Sequence, residues 1–87
     1  MDFIYCIRNG LMDMEDIKIS NNIRKLRFLR GEMSQQQLAD LAGCTRQTII
    51  ALEQDKYSPS LLLAAKIARI FKVSIEEVFQ IVFYNND

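Results

Sequence analysis

The sequence predicts an all-α domain of five short helices, on three observations. Apolar residues recur at helical spacing in successive windows between residues 23 and 82. A Ser or Thr precedes each window as a candidate cap. The segments between windows are only a few residues long, as in compact α domains. A chain of 87 residues makes one small domain, with a core barely large enough to stand alone. Chains of this size often gain stability by self-association.

Ser20 is the expected N-cap of the first helix, which carries Ile23, Leu26, Arg27 and Arg30 on one stripe. Gly31 ends it. Ser34 caps the second helix, and Gln37 three residues later completes a capping box. Leu38, Leu41 and Ala42 form its inner face, and Gly43 suits the left-handed closing position. Thr45 caps a third helix over residues 46–54, with Ile49 and Leu52 inward and Glu53 at the edge. "DKYSPS" is a loop, and Pro59 with either neighbouring serine starts the fourth helix. There Leu63, Ala64, Ile67, Ile70 and Phe71 face inward. Ser74 and Glu77 form a second capping box, opening a fifth helix with Ile75, Val78, Phe79 and Val82 inward.

Composition narrows the function. The chain has no histidine, the commonest general base and metal ligand. Glu76 and Glu77 read as helix-terminus charges, since no nucleophile, base or metal set accompanies them. No catalytic residue, metal site or cofactor is expected, and the protein reads as a non-enzyme. Cys6 and Cys44 show no paired spacing, which fits a reduced, cytoplasmic setting. The opening "MDFIYCIRNGLM" is too short, and charged too early, for a signal peptide or membrane span.

The zero net charge is an average over unlike parts. Residues 1–16 hold one arginine against four acids, residues 17–72 ten Lys/Arg against four acids, and residues 73–87 three acids alone. A basic middle between acidic ends points to a polyanion-binding body.

Only three residues separate Ala42 from Arg46, too few for an antiparallel hairpin. The second and third helices should therefore cross steeply, as a helix-turn-helix, leaving the third helix proud of the body. Opposite Ile49 and Leu52 its outer face holds Gln47, Ala51 and Gln54, flanked by Ile50 and Arg46. Arginine pairs with guanine, glutamine with adenine, and apolar groups with the thymine methyl, so this face suits a major groove. Gln35 and Gln36 lie at the N-terminus of the second helix, where free N–H groups favour a phosphate.

"MSQQQLADLAGCTRQTIIALE" and "KYSPSLLLAAKIARIF" resemble the phage-repressor and Cro-like, or XRE-type, helix-turn-helix regulators, from Ser20 to about Phe79. The resemblance implies a lambda-repressor-like five-helix fold. It also implies a sequence-specific transcriptional regulator, of the repressor kind, binding duplex DNA as a homodimer on an inverted-repeat operator. Arg46, Gln47, Ile50 and Ala51 then fall at base-facing positions. Gln35, Lys56 and Ser58 fall at backbone-contacting ones, and Thr45, already explained as a cap, joins them. The family's buried ion pair maps onto Arg27 and Glu53. The same fold also serves antitoxins and adaptors that bind a partner protein, which is the alternative reading. Leu62, on the face of Lys66 and Arg69, offers apolar surface for such a partner.

The sequence departs from the family pattern in places. Asp55 stands where glycine is usual, "RFLRGEMS" is one residue long, and Phe28 lies off the buried stripe. Residues 1–19 form an extension, residues 20–82 the DNA-binding domain with the helix-turn-helix at about 35–54, and residues 83–87 a tail. Met12 and Met14 stand just ahead of the recognisable part, so a start site within the extension is one reading. "FIYCI" and the Phe83–Tyr84 pair are surplus apolar surface, and "DIKIS" alternates as an edge strand would. Short terminal strands pairing with each other, or with a second chain, would cover them. The other reading leaves residues 1–16 disordered and folds the tail back on the fifth helix.

Overall fold

The computed structural model describes residues 17–83. They run β1 (Ile17–Asn21), α1 (Ile23–Leu29), α2 (Gln35–Ala42), α3 (Arg46–Glu53), α4 (Leu61–Phe71), α5 (Ile75–Val78) and β2 (Phe79–Phe83). The expectations placed on Cys6, on "FIYCI", on residues 1–16 and on Tyr84 lie outside the described residues.

Five helices enclose a core of Ile23, Leu38, Ala39, Ala42, Ile49, Leu52, Ala64, Ile67, Ala68, Phe71, Val78 and Phe79. Each large side chain among them contributes about 1.5–3 kcal/mol by leaving water. The capping chemistry sets where the helices begin. Ser34 with Gln37 and Ser74 with Glu77 form reciprocal capping boxes, while Thr45 and Ser60 accept from the amides of Thr48 and Leu63. Of the two serines beside Pro59, the cap is Ser60.

The helix ends share a different device. After α3, Asp55 N–H bonds to Leu52 and Lys56 N–H to Ala51. After α4, Lys72 N–H bonds to Arg69 and Val73 N–H to Ala68. Both are the paired closing bonds of a Schellman end, with a left-handed residue at the pivot. That pivot is Asp55 (φ 60°) or Lys72 (φ 58°), where glycine would be strain-free. The longer turn after α1 uses two left-handed residues in succession, Gly31 and Glu32.

Four expectations about the helices need correction. Ser20 does not cap α1: it lies in β1, opposite Gln80. Its role passes to Asn21 alone, since Asn22 at the N-cap makes no side-chain cap bond. Asn21 Oδ1 accepts from Ile23 N–H at 3.0 Å, and Asn22 N–H bonds to Val78 at 2.8 Å. Leu41 is 61% exposed. The buried arc of α2 is centred between Leu38 and Ala39, which puts Leu41 past its edge at about 100° per residue. The third helix stops at Glu53, one residue early, because Gln54 already belongs to the closing turn.

The fifth helix is a single turn. Phe79 turns extended (φ −120°, ψ 129°), and the chain continues as β2, antiparallel to β1 with Ile17 opposite Phe83 and Asn21 opposite Phe79. Phe79, Ile81 and Phe83 then share one face at period two, while Val82 points to the other. A helix through Val82 would have satisfied the same apolar residues, but only the strand gives the backbone of 17–21 a partner.

Candidate nucleic-acid interface

The site is built on α2, the turn and α3. Gly43 adopts φ 73° and ψ 32°, and its N–H and that of Cys44 both reach the Ala39 carbonyl. A Cβ there would meet nothing closer than Lys66 Nζ at 3.9 Å. Backbone conformation rather than space therefore asks for glycine. Thr45 restarts the chain at once: its Oγ accepts from Thr48 N–H at 3.2 Å and lies 3.1 Å from the Thr48 hydroxyl.

Ile49 and Leu52 pin α3 to the core. Arg46, Gln47 and Gln54 are exposed, and Ile50 and Ala51 are half-buried. The four residues expected to face bases thus share one continuous outer surface, with the polar pair at its N-terminal end and the apolar pair a turn later. Thr45, Lys56 and Ser58 are exposed at the two ends of α3. Gln35 differs from these. It is half-buried, and its amide donates to Glu53 Oε1 at 3.1 Å.

Arg27 and Glu53 form a fork, with Nε to Oε2 at 2.7 Å and Nη2 to Oε1 at 3.1 Å. Arg27 Nη1 also donates to the Met33 carbonyl at 2.7 Å. One carboxylate therefore gathers α1, the start of α2 and the end of α3. Asn21 adds a second tie to α3, donating from Nδ2 to the Leu52 carbonyl at 2.7 Å and to Asp55 Oδ1 at 3.1 Å. Arg30 closes the far end of α4 through the Phe71 carbonyl. In the sequence Ser20 stands as the simpler cap and masks Asn21, whose side chain does the capping. Two adjacent asparagines ahead of an apolar stripe were the available signal.

Burial pushes the Cys44 thiol above its ordinary value, and nearby Lys66 partly offsets the rise. Among the described residues, no group of three His, Cys, Asp or Glu side chains could hold a metal. Among the same residues, no helix is long and apolar enough to cross a membrane.

Residues 23–78 match the helix-turn-helix family, and the chain belongs to it. An uncharacterised HTH-type transcriptional regulator of Methanocaldococcus jannaschii is 51% identical over 57 residues, covering 63% of this chain and 86% of that protein. The uncharacterised HTH-type transcriptional regulator YgzD of Bacillus subtilis is 44% identical over 61 residues, covering 70% and 91%. The HTH-type transcriptional regulator PuuR of Escherichia coli is 31% identical over 68 residues, covering 78% of this chain and 36% of PuuR.

Proposed function

We propose that the protein is a DNA-binding transcriptional regulator that reads the major groove with α3. The observation that carries this is the outer face of α3. Arg46 and Gln47 stand exposed on a helix whose inner face is locked by Ile49 and Leu52 and whose end is held by Glu53. A rigid helix presenting a forked donor, an amide and two apolar side chains has the equipment to distinguish bases. Arg46 and Gln47 take the hydrogen-bonding edges, and Ile50 and Ala51 the thymine methyl.

Phosphates flanking the groove are held by Lys56 and Ser58 after α3 and by Thr45 before it. Gln35 has its side chain engaged by Glu53, so it contributes its backbone N–H at the start of α2. The regulator acts in the cytoplasm as a homodimer on an inverted repeat, its half-sites about one helical turn apart. Repression follows where that operator overlaps the promoter. The second reading, an antitoxin or adaptor, is favoured only by exposed Leu41 and Leu62 near Lys66 and Arg69.

The test is binding of the pure protein to DNA from its own promoter, followed by footprinting. A protected inverted repeat is expected, with affinity falling steeply with salt as counterions are released. Failure to shift any promoter fragment at micromolar protein, at any salt, would remove the reading.

A further inference from the structure

The two-stranded sheet has one apolar face, and the domain covers only part of it. Opposed residues of an antiparallel pair point the same way, so Ile17, Ile19, Phe79, Ile81 and Phe83 share a face, with Asn21 beside Phe79 at its core end. Lys18, Ser20, Gln80 and Val82 take the other. Phe79 is buried at the core end, yet Ile81 and Phe83 are 60% and 59% exposed. The alternation, broken only by Val82 on the other face and Asn21 opposite Phe79, marks this face as the one to be covered. The bare part runs into a groove of about 630 Å³ whose lining includes Ile19, Pro59, Leu61, Ile75 and Ile81. Leu61 on its rim is 77% exposed. None of the residues at the reading face of α3 lines this groove.

We infer that a second copy of this chain covers this face, two β1–β2 sheets packing about a two-fold axis with Leu61 and Ile81 at the centre. The inference rests on the DNA-reading proposal for its biological sense, since an inverted repeat needs two reading helices related by a dyad. Three observations choose the occupant. The face is mostly apolar, with Glu76 and Gln80 the polar residues of its lining, so it is complementary to itself, as an isologous contact requires. Leu61, Ile81 and Phe83 alone expose roughly 350 Å² at typical side-chain areas. That is a fitting apolar centre for an interface of about 800 Å² per partner. The chain's own N-terminal residues fit worse. They join at Ile17, opposite the bare Phe83, but the three acids Asp13, Glu15 and Asp16 come directly before it.

Sedimentation of the full chain and of Leu61→Glu and Ile81→Glu tests this. Leu61 opens α4, where an acid suits the helix dipole, so Leu61→Glu keeps its helical circular dichroism. The wild type is expected to be a dimer at micromolar concentration. Each variant is expected to raise the dimer dissociation constant about 100-fold or more by burying a carboxylate against its symmetry mate. A dimer that persists in both variants overturns the inference. So does a monomeric wild type, and a monomer whose melting temperature drops in Leu61→Glu names the chain's own terminus as the occupant. The two readings fail separately. A monomer that still protects its operator defeats the interface alone, and a variant-sensitive dimer without DNA affinity defeats the DNA reading alone.

Discussion

The Arg27 guanidinium and the Glu53 carboxylate meet in two hydrogen bonds with side chains only 14% and 9% exposed. At that burial neither charge can be left to water. A pair so enclosed offers little net stability over an apolar one, but removing one partner strands the other at a cost of about 3–5 kcal/mol. Glu53→Ala should therefore lower stability by an amount in that range, because Gln35 loses its acceptor as well. Urea unfolding followed by circular dichroism measures it. A midpoint that hardly moves would mean the pair is solvated.

A helix held so firmly at its end can place its outer side chains reproducibly. Arg46→Ala or Gln47→Ala should then weaken binding to the preferred operator by about 1–3 kcal/mol and relax base choice at one position. Stability should stay near wild type, since both side chains are exposed. Selection of bound sequences from a random pool reads the change. An unchanged consensus for both variants would show that α3 is not the reader.

Lys56 carries a different expectation. It is exposed just after the closing turn of α3, and in the proposed reading it meets the DNA backbone and not a base edge. Lys56→Ala should weaken all sequences by a similar factor and reduce the slope of log affinity against log salt by about one. A loss confined to one operator, with the slope intact, would assign Lys56 a base.

The helices, caps and turn were legible because each rests on short-range rules. Ser34 with Gln37, Gly43, and Ser74 with Glu77 act within four residues of themselves. The pattern of α3 was legible too, since Ile49 and Leu52 fix which side faces out. What escaped depends on distant partners. Phe79–Phe83 fits a helix or a strand until residues 17–21 arrive beside it. Ser20 looks like a cap until Gln80 takes its place opposite. Gln35 looks free for a ligand until Glu53, eighteen positions on, is found within 3.1 Å.

Cys44 should be a slow thiol. Burial raises its pKa and Lys66 only partly offsets this, so the thiolate, the reactive form, is scarce near neutral pH. Peptide-resolved alkylation at pH 8 should label Cys44 more slowly in the folded protein than in urea. The same shift sets a sign for stability. A group whose folded pKa lies above its unfolded one contributes stability below the unfolded value and loses it as pH rises through the folded value. Any contribution from Cys44 is thus fully present at neutral and acid pH and fades in the alkaline range. Equal labelling rates in both states would contradict the burial.

Asp55 and Lys72 hold the left-handed pivot of two helix ends where glycine would cost nothing sterically. An L-residue there is strained by about 1–2 kcal/mol, whereas glycine loses more chain entropy on folding, about 0.5–1 kcal/mol. Strain relief outweighs the entropy loss, so Lys72→Gly should stabilise by a few tenths to about 1 kcal/mol. Asp55 has one compensation, since its Oδ1 accepts from Asn21 at 3.1 Å in an exposed bond. Asp55→Gly should accordingly gain less than Lys72→Gly. A β-branched residue tolerates this region worst, so Asp55→Val should destabilise clearly. Thermal melts of the three variants give the ranking: Lys72→Gly highest, Asp55→Gly near or just above wild type, Asp55→Val lowest. If Lys72→Gly melts below wild type, the lysine stem is packing in a way that outweighs its backbone strain.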